Sequence, residues 1–139
     1  MKKYVFTLLI TIFILLNQAS GEDMKIKISI GEQSFFATLN NSSTAKEFFD
    51  LLPMTINMDE HGGFEKNYRL GKRLSGSSLS PDIIREGDLM IWSQSVLVLF
   101  YKEHSTFYSY IPLGRIDDTK RLEKALGRSS IKVKFELIQ

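Results

Sequence analysis

The chain has no cysteine. This rules out disulfides, structural zinc held by thiolates and lipid attachment through a cysteine, so packing alone must hold the fold together. Histidine is nearly as scarce, with His61 and His104 as the only two. Asp59, Glu60 and His61 are consecutive, and consecutive residues of a strand point to alternate faces, so they do not converge on one ion. No metal and no cofactor is expected. The body of the chain also lacks an excess of positive charge. Removing Lys2 and Lys3 from the 18 Lys and Arg leaves 16, equal to the 16 Asp and Glu. The basic balance therefore belongs to the first residues, and a nucleic-acid partner loses its electrostatic footing. Nucleophilic and phosphate-binding motifs are missing too. Ser77, Ser78 and Ser80 sit in no Gly-x-Ser-x-Gly, and Gly62-Gly63 has no Lys-Ser/Thr signature. Both stretches read as turns.

What is present begins with an address. Lys2 and Lys3 form a basic start, residues 4–16 are apolar and uncharged, and Ala19 and Gly21 place small residues before Glu22. This is the pattern of a signal peptide over residues 1–21, cleaved before Glu22. The apolar stretch falls short of the roughly 20 residues that span a bilayer, so no membrane attachment is expected after cleavage. The expected location is periplasmic or secreted. Residues 22–139 then form one domain, large enough to bury a core. The sequence does not fix an oligomeric state.

Residues 87–101 are the centre of that domain. Two apolar runs, 89–92 and 96–101, flank Ser93-Gln94-Ser95, and each is short and rich in Val, Ile and aromatics. Runs of this length read as strands, and near-continuous apolarity predicts a hairpin covered on both faces. Residues 24–30 and 131–137 alternate strictly, with Ile26, Ile28, Val133 and Phe135 on inward faces. Gly31-Glu32 reads as a tight turn into a partner strand over 34–39.

A helix is expected after residue 43. Thr44 and Glu47 have capping-box spacing, Ala45, Phe48, Phe49 and Leu52 form one stripe, and Pro53 stops it. Residues 54–58 read as a short strand and 59–63 as a turn. Residues 64–81, with Lys66, Arg69, Lys72 and Arg73, read as a long, exposed, basic loop. Residues 113–116 predict another strand. Asp118 is placed as the cap of a second short helix, closed by Gly127. Seven or eight short strands with two helices suggest a mainly β, closed or nearly closed barrel with helices on its ends, because closure removes the edges of two such regular terminal strands.

The segments Ala37-Thr38-Leu39, Thr44-Ala45, Leu52-Pro53-Met54-Thr55 and Gly63-Phe64-Glu65-Lys66 resemble a bacterial family of cyclophilin-like proteins. Gly87-Asp88-Leu89, Phe100-Tyr101 and Leu113-Gly114-Arg115-Ile116 extend the likeness over nearly all of residues 24–139. The resemblance implies an eight-stranded cyclophilin-like β-barrel capped by two short helices. It also implies a ligand face on the outside of the sheet, crossed by the strands of residues 87–101. Prolyl isomerases of this fold carry a Phe-His-Arg segment, and this chain has none.

The expected function is binding of a small molecule or an extended peptide in a groove on the barrel. The expected groove residues are Met58, Glu65, Arg69, Trp92, Phe100, Tyr101 and Tyr110, with Tyr108 beside them. Trp92 and Tyr101 end strands, where an amphipathic ring buries its body and keeps its polar atom wet. The alternative is a peptidyl-prolyl isomerase with a non-standard site and no assigned catalytic residue. Such an enzyme must lower a barrier of about 18–20 kcal/mol with a donor aimed at the twisting amide, and Arg69 or Arg115 would have to supply it. A third reading is an interaction module that recognises a partner through residues 64–81.

Overall fold

Strict alternation makes β1 (Met24–Ile30), with Ile26, Ile28 and Ile30 buried between the exposed Lys25 and the half-exposed Lys27 and Ser29. In the computed structural model, which describes residues 24–138, it turns at Gly31-Glu32 into β2 (Gln33–Leu39). Gly31 has φ 58°, a left-handed angle that glycine adopts without a Cβ penalty. The signal peptide expected at residues 1–21 lies outside the described residues.

Helix α1 (Ser43–Phe49) follows, and here the expected cap is corrected. Ser42 is the N-cap, accepting from the Ala45 N–H at 3.1 Å. Thr44 and Glu47 are used elsewhere: Thr44 donates to the Ser75 carbonyl, and Glu47 accepts from the Ser75 N–H at 3.1 Å. Phe48 of α1 meets Phe135 edge-on at 5.9 Å.

β3 runs Met54–His61, three residues beyond the strand expected from sequence. β4 (Glu65–Arg69) occupies the start of the expected loop. Its sequence, Glu-Lys-Asn-Tyr-Arg, has little strand propensity. It is a strand because ladders on both sides, to β3 and to the central hairpin, fix it there. The rest of that segment is exposed at Lys72 and Arg73 but pinned at several points. Leu70 donates to the Ser95 carbonyl, Leu74 exchanges bonds with Gln94, and Leu79 pairs with Tyr110.

Just after that segment, β5 (Ile83–Ile84) pairs with β8 (His104–Ser105). The central hairpin is β6 (Asp88–Trp92) and β7 (Val96–Phe100), as its apolar runs predict. Asp88 is the first residue of β6. β9 (Ile111–Ile116) and β10 (Ile131–Leu137) complete the set. Between them, α2 (Leu122–Leu126) buries Leu122 and Leu126 and ends at Gly127. Arg121 occupies its N-cap position, while Asp118 accepts from the Lys120 N–H at 3.0 Å and caps no helix.

Eight strands close in the order β1-β10-β3-β4-β7-β6-β9-β2, all antiparallel. The first and last strands are neighbours, so neither leaves an open edge. The barrel closes tightly at Gly114, where a Cβ would strike the Thr38 carbonyl. Phe48 of α1 packs on Phe135, opposite Met54 at the start of β3. Lys66, opposite Glu60 near the other end of β3, bonds the Gly127 carbonyl at the end of α2, so the two helices lie toward opposite ends of the barrel.

A second apolar cluster lies outside the barrel wall. Met90, Val96, Val98 and Phe100 face outward from β6 and β7 and pack with Ile84, Tyr110 and Phe64. This explains the continuous apolarity of β7: Leu97 and Leu99 fill the barrel, and their neighbours fill the layer beneath β5, β8 and residues 106–110. Among the described residues no helix is long and apolar enough to cross a membrane.

Candidate functional site

The covering layer stops short of β3 and β4. The strip it leaves open is a cavity of about 450 Å³ on the outer face of β3, β4, β7 and β6. Strand register sets its floor as rows of residues. His61, Glu65 and Phe100 form one row, and Asp59, Asn67, Val98 and Met90 the next. Arg69, Val96 and Trp92 form the third. Neighbouring strands lie about 4.8 Å apart and alternate residues share a face, so each row is one side chain deep. The β3–β4 half is polar and the β7–β6 half apolar. Tyr108 and Tyr110 add a wall.

Trp92 is 41% exposed and meets Tyr108 edge-on at 6.4 Å, which forms one end of the groove. The other end is a pack of rings. Phe64 stacks on His104 at 4.1 Å and meets His61 at 5.9 Å, and Phe100 lies 5.5 Å from both His104 and Tyr110.

Glu65 sits against this pack with only 8% of its surface exposed. Its Oε2 accepts from Asn67 Nδ2 at 3.3 Å, and among the described residues Oε1 has no hydrogen-bond donor. Burial pushes the Glu65 carboxyl above its ordinary value. The Asn67 bond and the nearby His61 and His104 oppose that rise without cancelling it. Burial likewise raises the Tyr110 hydroxyl, and the charge of Glu65 adds to the effect. Asp59 accepts from Ser130 Oγ at 3.2 Å. Arg69, at the Trp92 end, has no ion-pair or hydrogen-bond partner among the described residues.

Of the residues expected in the groove, Glu65, Arg69, Trp92 and Tyr110 line it. Met58 is fully buried inside the barrel. Phe100 is buried beneath His104 and Tyr110, a floor without an open surface. Tyr101 faces the interior, because it follows Phe100 and points the other way. Arg115, the other arginine considered as a donor, lies off the groove, bonded to the Glu86 carbonyl at 3.3 Å and 3.9 Å from Asp88. Asp59, His61, Asn67, Val96 and Val98 line the groove and were not expected there. Their signal was the i, i+2 spacing of 59, 61 and of 65, 67, 69, readable once residues 65–69 are taken as a strand. Among the described residues no group of three or more His, Cys, Asp or Glu could hold a metal ion.

The inner faces of the same strands carry a different polar cluster. Lys66 is fully buried and donates to Glu60 Oε1 at 3.0 Å, the Gly127 carbonyl at 3.0 Å and the Ser129 carbonyl at 2.6 Å. Tyr101 also donates to Glu60, and the Gly63 N–H reaches its Oε2 at 2.8 Å. Arg128 bridges the Gly63 carbonyl, the Tyr101 hydroxyl and Glu123. Burial pushes the Glu60 carboxyl up, but the bonds from Tyr101, Lys66 and Gly63 outweigh it and hold it below its ordinary value.

The sequence profile of a cyclophilin-like family matches residues 28–136. Among curated proteins none matches. Among solved structures, the chain is similar to the solution structure of a hypothetical protein from Archaeoglobus fulgidus. That likeness has a TM-score of 0.66 at 17% identity, covering 86% of this chain and 98% of the other. At that identity it speaks to the fold alone.

Proposed function

The chain belongs to the cyclophilin-like family, and from that premise we propose that it binds a small molecule or an extended peptide in the outer groove of β3, β4, β7 and β6. One observation carries this reading: a cavity of about 450 Å³ on the outer face of the barrel, apolar on one side and hydrogen-bonding on the other. Ligand sites of this size usually combine apolar walls with a few placed polar groups.

Trp92 is the only tryptophan in the chain, so its emission reports on the groove alone. Titration with pools of small molecules and peptides is expected to shift that emission for at least one pool. Val98→Arg, which fills the floor, is expected to abolish the shift. If no pool shifts Trp92, or if Val98→Arg leaves the response intact, the groove is not the binding site.

A second reading, prolyl isomerase activity, is favoured by the position of Arg69, an unpaired guanidinium on the groove lining. It requires measurable isomerisation of a proline-containing peptide that is lost in Arg69→Ala. Activity that survives Arg69→Ala, or none above background, removes it. We also propose export with cleavage before Glu22, checked by the N-terminal residue and location of the protein recovered from its own cell.

A further inference from the structure

Resting on the groove reading above, we propose that the preferred ligand is a short peptide with free ends, its α-ammonium held by Glu65 and its α-carboxylate by Arg69. Glu65 is more than nine-tenths buried, lines the cavity, and keeps Oε1 without a donor. Among the described residues no buried side-chain N or O atom lacks a partner, so Oε1 opens into the cavity, where a ligand N–H can take the place of water. Asp59 lies in the next row and adds negative charge on the same side. A purely anionic ligand would meet both carboxylates. A purely cationic one would leave Arg69 unused and repelled. A dipolar ligand satisfies both ends.

Length follows from the strand. Glu65 and Arg69 share one face of β4 four residues apart, or ~13 Å at ~3.3 Å per residue. Three extended peptide residues measure roughly 10 Å, which leaves room for hydrogen bonds at the ends. The ring pack of His61, Phe64 and His104 stands beyond Glu65, so a chain ends there rather than passing through. Between the two charges Asn67 offers an amide to the peptide backbone. Val98 and Val96 on the adjacent strand offer an apolar surface to its side chains, with Trp92 and Tyr108 at the Arg69 end.

The test uses the tripeptide Leu-Val-Leu in three forms: free, N-acetylated, and C-terminally amidated, titrated by Trp92 fluorescence and calorimetry. A charged hydrogen bond lost at either end is expected to weaken binding about tenfold. In Glu65→Gln the penalty for acetylation should shrink while that for amidation stays. In Arg69→Ala the reverse should hold, a crossed pattern that a merely structural role for either residue would not give. Capped forms that bind as well as the free peptide overturn the dipolar assignment and leave the groove reading standing. Failure of the free tripeptide to bind also overturns it, and the pool titration then decides separately whether the groove binds anything.

Discussion

Glu65 and Lys66 are neighbours in β4, yet they belong to opposite kinds of environment. Lys66 points into the barrel and meets a carboxylate and two backbone carbonyls. Glu65 points out into the groove and meets one amide at 3.3 Å. The same division runs along β3, where Glu60 faces inward to three donors while Asp59 and His61 face the groove. Both clusters are polar and partly or wholly shielded from water. The inner one is complete, so it closes an end of the barrel and needs no further partner. The outer one is left with an open acceptor and an open donor, which is the condition of a surface made to receive something.

The sharpest way to break that contrast is to remove the centre of the inner cluster. Lys66→Met leaves Glu60 without its cation and two carbonyls without a donor. It is expected to cost roughly 3 kcal/mol, read from the urea midpoint. Combining it with Glu60→Gln should cost less than the sum of the two single changes, because the second removes a charge already orphaned. Strict additivity would mean that the two groups do not act as a unit. Tyr101→Phe deletes one bond to a charged acceptor and is expected to cost about 1.5 kcal/mol by the same measurement.

Glu60 also sets an acid limit. Its folded pKa lies below its ordinary value of 4.5, so its stabilisation is present above that value and is lost as pH falls through the folded pKa. Glu60→Gln should flatten this acid slope.

Much of the barrel was legible in the sequence, and the reason is periodicity. β1, β10 and the β6–β7 hairpin announce themselves because their inward residues are apolar and their spacing is regular. β4 does not, because its inward residues are Lys66 and Tyr68 and its outward ones Glu65, Asn67 and Arg69. Its strand state comes from the ladders on either side, which no local pattern carries. The groove was half legible for a related reason. Trp92 and Tyr110 stand out as aromatics near strand ends. Phe100 and Tyr101, however, are consecutive, so alternation alone forbids them from sharing a face. Its place at a strand end suggested the groove for Tyr101, and the pleat put it inside.

The outer cluster responds to pH in the opposite sense. Burial raises the Glu65 pKa, so its contribution to stability is fully present below its ordinary value of 4.5 and is lost as pH rises through the folded pKa. Glu65→Gln should therefore raise the melting temperature at neutral pH, and the gain should disappear below pH 4.5. His61, His104, Glu60 and Tyr110 surround the same carboxyl, so the comparison is made within one pH at a time. A melting temperature at neutral pH that falls on this substitution would place Glu65 with the inner cluster, as a structural group.

Arg69→Ala is expected to have the smallest effect on the fold. Its side chain is exposed and has no partner among the described residues, so stability should change by no more than about 0.5 kcal/mol. That small number is informative because Lys66, only three residues earlier on the same strand, should cost several times as much. Ligand binding should rank them the other way, with Arg69→Ala losing its discrimination between a free and an amidated C-terminus. Stability and binding would then separate by face of the sheet rather than by position along it. If Arg69→Ala destabilises the barrel as much as Lys66→Met does, the outer charges support the fold in ways the groove geometry does not reveal. The division between a completed interior and an open exterior would then fail.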